Sequence, residues 1–271
     1  MTQKELIEGI VQQGTYSRIE QDQLQISAVL LVELVERLNI SLNEFLYIHR
    51  GYQATEREKI LKDYREIELT LPKELKAKME VIKSYLKKQP DDGVEMLLGS
   101  YQAMLILTEK DDLEAVRAIV ENIWGNIQKL DHWYIEDIEL LNSIIVLFPL
   151  DTALQITTTA IKRLDAYDDY ERDVTHLKLY FHLNLTLLYL ENEEYQACIE
   201  WLERIYVKFK RKLTYQTLGF IYTYKAICLI HLNAPYEQEI QKMKTLLELF
   251  DDQEVLSALL GDISKHKVSI N

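Results

Sequence analysis

The stretch Leu190-Glu-Asn-Glu-Glu-Tyr195-Gln-Ala197 has three looser copies elsewhere in the chain. Moving 41 residues forward gives His231-Leu-Asn-Ala-Pro-Tyr236-Glu-Gln, and moving 82 residues back gives Thr108-Glu-Lys-Asp-Asp-Leu113-Glu-Ala115. Halfway between that earlier copy and the first stretch lies Pro149-Leu-Asp-Thr-Ala-Leu154-Gln-Ile156. The four anchor residues are therefore spaced evenly by 41 positions: Leu113, Leu154, Tyr195 and Tyr236.

Each anchor separates two segments with a helical pattern. An aromatic-rich helix precedes the anchor, and an amphipathic helix follows it. The predicted second helices span Leu113 to Trp124, Thr152 to Leu164, Glu193 to Phe209 and Tyr236 to Phe250. Helix pairs with a period of about 34 to 47 residues are typical of an α-solenoid, in which neighbouring hairpins stack to bury their apolar surface. We expect the first helices to line a concave wall, which is the natural ligand surface.

The composition favours an all-α fold. The 271 residues include only 8 Gly and 4 Pro, too few for the turns of a many-stranded sheet protein. The two cysteines, Cys198 and Cys228, lack CxxC spacing, so neither a disulfide framework nor a zinc site is expected. A reducing, cytoplasmic compartment fits best. No uncharged apolar stretch reaches the roughly 18 residues of a membrane span, so no membrane association is expected.

The formal net charge of −13 is spread unevenly. Residues 1–53 carry −3, residues 54–90 carry +3, and the remainder carries −13. An acidic body repels nucleic acid and anionic membranes at long range. Any contact with DNA must therefore be local.

Residues 1–53 are predicted to form a small module of short, capped helices. Thr2 and Glu5 can form a capping box, Gly14 marks a break, and Ser27 and Ser41 can cap two further helices. Residues 54–90 are strongly charged and are divided by a proline, which indicates a helical connector. The repeat region then occupies residues 91–271.

The third repeat resembles a tetratricopeptide unit. It reads Asn184-Leu-Thr-Leu-Leu-Tyr189-Leu-Glu-Asn-Glu-Glu-Tyr195-Gln-Ala197-Cys-Ile-Glu-Trp201, with an Asn five residues before a Tyr and a polar turn before the second helix. The resemblance implies a right-handed TPR-like α-solenoid in which Asn184 faces a peptide-binding groove. An amide suits this task because it both donates and accepts hydrogen bonds, as a peptide group does. The alternative is an amide packed and hydrogen-bonded between helices.

The residues at the same register as Asn184 are also polar. They are Gln102, Ser143 and Lys225, which together predict a polar stripe, and Lys225 could hold a peptide carboxylate. Three tyrosines, Tyr101, Tyr180 and Tyr222, are candidates to frame the same channel. The alternative for each tyrosine is a place in the core.

The N-terminal module resembles the helix-turn-helix of the Cro/XRE class. The likeness is carried by Thr2-Gln3-Lys-Glu-Leu6-Ile7-Glu-Gly9-Ile10-Val11-Gln12-Gln13-Gly14-Thr15-Tyr16-Ser17-Arg18-Ile19-Glu20 and by Leu34-Val-Glu-Arg-Leu38-Asn39-Ile40-Ser41-Leu42-Asn43-Glu44-Phe45-Leu46. In that class the second helix lies in the major groove. The resemblance implies DNA contacts by Gln12, Gln13, Thr15, Tyr16 and Arg18, with Gln3 bracing the backbone. The alternative is an ordinary exposed helix face.

Together, the XRE-like head and the tetratricopeptide-like body are similar to the Rgg/GadR/MutR regulators. The resemblance implies a cytoplasmic homodimer that binds operator DNA through its head and a short signalling peptide through its solenoid. That family has a further, usually basic, helix before the Thr-Gln motif, whereas this sequence starts at Met1, so we expect a truncated head. The alternative is an interaction adaptor that keeps the solenoid but does not bind DNA.

No sequence feature points to an enzyme, a cofactor or a metal ion. His176 and His182 are six residues apart and therefore lie on different faces of a helix, and no HExxH motif is present. The motifs GxGxxG, GxxxxGK[ST] and GxSxG are also absent. The acidic run from Asp168 to Asp173 lacks the glycine and the spacing of a calcium loop.

Overall fold

The computed structural model describes residues 1–65, 72–109 and 112–268 of the chain. These residues form helices and turns, with no β-strand among them, which confirms the all-α prediction. No helix in the described ranges is long and apolar enough to cross a membrane. The helices are α1 (Gln3–Ile7), α2 (Gln13–Glu20), α3 (Ala28–Arg37), α4 (Leu42–His49), α5 (Glu56–Arg65), α6 (Pro72–Lys88), α7 (Asp92–Glu109), α8 (Leu113–Ile127), α9 (Ile135–Ile144), α10 (Leu150–Leu164), α11 (Thr175–Glu191), α12 (Tyr195–Phe209), α13 (Tyr215–His231), α14 (Glu237–Leu249) and α15 (Gln253–Val268).

The chain divides into two compact units, Met1–Thr70 and Leu71–Asn271. The region 54–90 is therefore not a unit of its own, because α5 belongs to the first unit and α6 to the second. The reason lies in α6, which packs on α7 and buries Leu75, Met79 and Ile82. An apolar stripe of this kind makes α6 part of the repeat domain rather than a spacer.

The helix caps predicted in the first unit are present. Thr2 Oγ1 accepts a hydrogen bond from the backbone N–H of Glu5 at 3.3 Å, and the Glu5 carboxylate accepts one from the N–H of Thr2 at 2.6 Å. Ser27 and Ser41 cap α3 and α4 by accepting from the backbone N–H three residues ahead. These local bonds explain why such short helices begin where they do.

A turn at Gly9 separates α1 from α2. Gly9 has a φ of +74°, a conformation that favours glycine. The prediction of a break at Gly14 is wrong, because Gly14 lies in the first turn of α2. The guanidinium of Arg37 holds the end of α1 by donating to the carbonyls of Glu5 and Glu8, at 3.3 and 2.5 Å. The core beside this turn consists of Ile7, Leu34 and Val35.

The second unit contains a row of helix pairs: α7 with α8, α9 with α10, α11 with α12, and α13 with α14. Successive first helices contact one another, since α7 contacts α9, α9 contacts α11, and α11 contacts α13. Each second helix also contacts the first helix of the next pair. The last helix, α15, packs on α13 and α14. This is the stacked arrangement of an α-solenoid.

The helix pairs are less evenly spaced than the anchor residues. The second helices begin at residues 113, 150, 195 and 237, so the intervals are 37, 45 and 42 residues rather than a constant 41. Leu154 lies four residues beyond the start of α10, whereas Leu113 and Tyr195 are the first residues of their helices. One residue turns a helix by about 100°, so a small offset moves a side chain to another face. The constant period therefore predicts the helices but not the face of each polar residue.

Candidate functional site

Asn184 lies where α11 meets α9, the first helix of the preceding pair. Its Nδ2 donates to the backbone carbonyl of Asn142 at 2.9 Å and to the Oδ1 of the same residue at 3.2 Å. Both asparagines are partly exposed. Within the described residues, neither Asn184 Oδ1 nor the Asn142 amide nitrogen has a protein partner. The pair therefore presents one free acceptor and one free donor on neighbouring first helices.

Asn142 is the site residue that the sequence reasoning missed. The 41-residue register points to Ser143, but Ser143 Oγ donates to the Leu140 carbonyl within α9 at 2.7 Å. Asn142, one position earlier, is the residue that meets Asn184. The sequence does contain a signal, because Asn142 and Ser143 interrupt the apolar run from Leu140 to Leu150. Of the two neighbouring residues, the 41-residue register therefore points to Ser143, whereas Asn142 makes the contact with Asn184.

The two tyrosines predicted beside Asn184 and Gln102 have different environments. Tyr180 is 49% exposed, lies one turn before Asn184 on α11, and has its ring centre 6.5 Å from that of His176. It is therefore available to a ligand near Asn184. Tyr101 is only 1% exposed. The prediction that Tyr101 frames a ligand channel is wrong, because its side chain fills the core of the first pair.

Gln102 lines a separate groove between α7 and α8. The groove has a volume of about 770 Å³ and also includes the amide side chains of Asn122 and Asn126 and the apolar side chain of Met96. Gln102 therefore faces the second helix of its own pair. It does not continue the row formed by the asparagines of α9 and α11.

Tyr222 and Lys225 on α13 contact second helices. Lys242 Nζ on α14 lies 5.6 Å from the centre of the Tyr222 ring, and Lys225 Nζ pairs with Glu203 on α12 at 2.7 Å. Burial raises the pKa of the Tyr222 phenol. The structure thus breaks the predicted polar stripe, because the unequal repeat intervals turn its members to different faces.

The two cysteines meet between α12 and α13. They are buried free thiols, and the hydrogen bond that the Cys228 thiol donates to Cys198, together with burial, raises the pKa of the Cys228 thiol. A raised pKa keeps the thiol uncharged and weakly nucleophilic. Among the described residues, no three His, Cys, Asp or Glu side chains cluster as metal ligands.

In the head, the residues implied for DNA contact lie on α1 and α2. Gln12, the N-cap of α2, lies just before the helix, and the helix itself alternates between exposed and half-buried positions. The exposed residues are Gln3, Gln12, Gln13 and Arg18, and the half-buried ones are Thr15 and Tyr16. DNA contact by these residues stays a prediction, and four of the six are accessible.

A carboxylate lies at the centre of this surface. Gln3 Nε2 donates to Glu20 Oε2 at 2.6 Å, and Gln13 Nε2 donates to Gln3 Oε1 at 3.4 Å. The Tyr16 hydroxyl also bonds Glu20, and burial followed by this hydrogen bond raises the pKa of the phenol. Gln3 therefore ties α1 to α2 within the head.

The head offers few positive charges. Residues 1–53 contain four Lys and Arg against seven Asp and Glu. Arg37 holds the end of α1, and Arg50 pairs with Glu58 at 3.0 Å. Lys4 and Arg18 are exposed, and neither has a partner in the described part of the chain. Arg18 is the single cation on α2.

Comparison with known families identifies the repeat domain. Residues 126–258, which include both asparagines of the site, match the family described as HTH-type transcriptional regulator Rgg, C-terminal domain. This part of the repeat domain is thus similar to an Rgg C-terminal domain. The matched stretch extends from the end of α8 into α15. No curated protein sequence matches the chain.

Solved structures share the fold over nearly the whole chain. A putative transcriptional regulator from Listeria monocytogenes EGD-e has a TM-score of 0.68 at 17% identity, covering 98% of this chain and 92% of its own. PlcR of Bacillus thuringiensis, in complex with the peptide PapR7 and DNA, has 0.66 at 17% identity, with coverages of 96% and 93%. The Streptococcus dysgalactiae SHP pheromone receptor Rgg2 has 0.66 at 15% identity, with coverages of 98% and 95%. These relatives are named as regulators or as a receptor, not as enzymes.

Proposed function

We propose that this protein is a DNA-binding transcriptional regulator controlled by a short signalling peptide bound along the first helices of its repeat domain. The observation that carries the proposal is the pair Asn142 and Asn184. A peptide group has one N–H donor and one C=O acceptor, and the pair offers one free acceptor and one free donor. An extended peptide crossing α9 and α11 would satisfy both, with Tyr180 beside it.

The named relatives support this proposal. PlcR was solved with a peptide and DNA, and Rgg2 is a pheromone receptor. The Rgg family match in this chain contains both asparagines. By analogy with these relatives, we propose that this chain binds a short peptide and operator DNA. We also propose that it acts as a cytoplasmic homodimer.

Peptide binding would act on the contact between two first helices. Asn184 already bonds the Asn142 carbonyl, so this hydrogen bond is one of the contacts that hold α11 against α9. A peptide that bonds to both asparagine side chains favours the arrangement of α9 and α11 in which both side chains can reach it. It can shift the equilibrium only by its differential affinity for the two arrangements, about 1.4 kcal/mol for each tenfold difference. In a homodimer, such a change would alter the separation of the two heads.

The test is a mobility-shift assay with DNA from the gene's own promoter, with and without synthetic peptides encoded by short reading frames beside the gene. We expect a peptide-dependent change in the shift. Asn184→Ala should weaken the peptide response about tenfold, because it removes the free acceptor and the bond to Asn142. Ser143→Ala is the matched control, since its hydroxyl bonds within α9. Equal peptide affinities of Asn184→Ala and the parent by calorimetry would show that the groove assignment is wrong.

A second candidate is an adaptor that binds peptides or proteins without binding DNA. The observation in its favour is the charge of the head, where four basic residues stand against seven acidic ones. Calorimetry and the mobility-shift assay separate the two candidates. Peptide binding without any DNA shift at low salt would support the adaptor and contradict the regulator.

A further inference from the structure

A pocket lies between α10, α11 and α12, away from the asparagine pair. Its volume is about 320 Å³, at the lower end of the range of small-molecule sites, which is roughly 300 to 1,000 Å³. Leu154 and Trp201 provide apolar walls, and Lys162 and Lys208 provide two cations. The pocket thus combines an apolar lining with positive charge, in a chain whose net charge is −13.

The first unusual group in this pocket is the hydroxyl of Thr157. Thr157 is 2% exposed, and its Oγ1 has no hydrogen-bond partner among the described residues. Its two neighbours behave differently, because Thr158 and Thr159 each donate to the carbonyl four residues earlier in α10. A helical threonine normally makes that bond. The Thr157 hydroxyl is therefore left unpaired at the pocket rather than tied to its own helix.

The second unusual group is the imidazole of His182. Its Nε2 is buried and likewise lacks a partner in the described part of the chain. The ring lies between those of Trp201 and Phe209, with centres 5.2 and 5.4 Å away, and Trp201 Nε1 donates to the His182 carbonyl at 3.0 Å. Burial, and then the charge of Lys208, lowers the pKa of His182 to about 4, so the ring is neutral near neutral pH. A neutral imidazole with its proton on Nε2 is a hydrogen-bond donor.

We propose that this pocket binds a small organic acid with an apolar tail, whose carboxylate accepts hydrogen bonds from Thr157 and His182. Two donors without partners and two nearby lysines form the environment that a carboxylate needs. Both donor atoms are shielded from bulk water, so binding includes a small rotation of their side chains toward the ligand. The tail then packs against Leu154 and Trp201.

The charges around the pocket favour an anion over a cation or a neutral ligand. Lys162 and Lys208 repel an amine. Asp165 also lines the pocket and shares Lys178 Nζ with Asp168, each at 2.6 Å, so its charge is balanced in part and the two lysines of the lining still outnumber it. An uncharged ligand would gain no electrostatic attraction from Lys208, which lies close to His182. The ligand class is therefore a monocarboxylate with an aliphatic or aromatic tail.

Calorimetry on the full chain near neutral pH tests this proposal with octanoate and phenylacetate as probes. We expect saturable binding of both acids and at least about tenfold weaker binding of octanol, which has the tail of octanoate without its charge. Thr157→Val should weaken octanoate binding about fivefold or more, because it removes a donor while keeping the shape. Thr159→Val is the matched control, since that hydroxyl bonds within α10.

A second pair of variants tests the role of charge independently of the threonine. Lys208→Gln should weaken octanoate binding several-fold, whereas Lys210→Gln, outside this pocket, should not. The proposal is overturned if octanol binds as tightly as octanoate, or if Thr157→Val binds octanoate like the parent. It is also overturned if no binding is detected at about 10 mM octanoate, because the dissociation constant would then lie above the millimolar range. None of these outcomes depends on peptide or DNA binding, so the proposed regulatory function is judged separately.

Discussion

Lowering the pH from about 7 to about 5 should destabilise the repeat domain through His182. Burial, with a smaller effect of the Lys208 ammonium, lowers the pKa of the imidazole from 6.5 to about 4 in the folded chain. Between these two values the unfolded chain binds a proton that the folded chain does not. The free energy of unfolding therefore falls as the pH falls through this window. The other charged groups lining the same pocket are Lys162 and Asp165.

The size of this effect follows from the two pKa values. A change from 6.5 to about 4 corresponds to about 2 kcal/mol of lost stability at pH 5. The imidazole is partly exposed, so water screens part of this cost, and we expect about 1 kcal/mol. A loss of that size lowers the midpoint of thermal unfolding by roughly 2 to 4 °C in a domain of about 200 residues.

The assay is urea unfolding at about pH 7, 6 and 5, comparing the parent chain with His182→Gln. The variant removes the titrating group, so the difference in stability between parent and variant should shrink as the pH falls. His176→Gln, at an exposed position of the same helix, is the matched control for replacing a histidine. If the parent and His182→Gln lose stability in parallel between pH 7 and 5, His182 is not held neutral by burial.

Three further substitutions test other parts of the structure. Arg37→Ala should lower the free energy of unfolding of the head by about 1 to 2 kcal/mol, because it leaves carbonyls at the end of α1 without their donor. Unchanged hydrogen-exchange protection of α1 would contradict this. Gly219→Ala should stabilise the repeat domain by about 0.5 to 1 kcal/mol, because the added methyl lies at an ordinary contact distance of 3.5 Å from two leucines. A lower melting temperature would count against it. Arg18→Ala should weaken operator binding and reduce the slope of affinity against salt by about 0.9, and an unchanged slope would rule out a phosphate contact.

The helices were predictable because their signals are local. Thr2, Ser27 and Ser41 each accept a hydrogen bond from a backbone N–H three residues ahead, so the sequence alone predicts their role as helix caps. The repeat was predictable because its anchors recur in the sequence. The break at Gly14 was predicted wrongly, since Gly9 also fits a turn and the choice depends on how α1 packs against α3.

The site was less predictable because it depends on helix rotation. Asn184 lies on a first helix, as the repeat predicts, but its partner Asn142 is displaced by one position from the constant register, and the peptide contact of Asn184 stays a prediction. Tyr101 was placed in a channel because a tyrosine can serve either a core or a surface, and only packing decides between them. The unpaired groups at Thr157 and His182 require three helices to be in place before they can be seen.

The carboxylate of Glu20 has a consequence for any encounter of the head with a nucleic acid. While Gln3 and Tyr16 donate to it, neither is fully available to a base or a phosphate. Once they turn away, Glu20 is left bare and repels the phosphodiester chain. If the head docks on DNA, the charge of Glu20 therefore opposes that docking, and Glu20→Gln would remove the charge without changing the outline of the side chain.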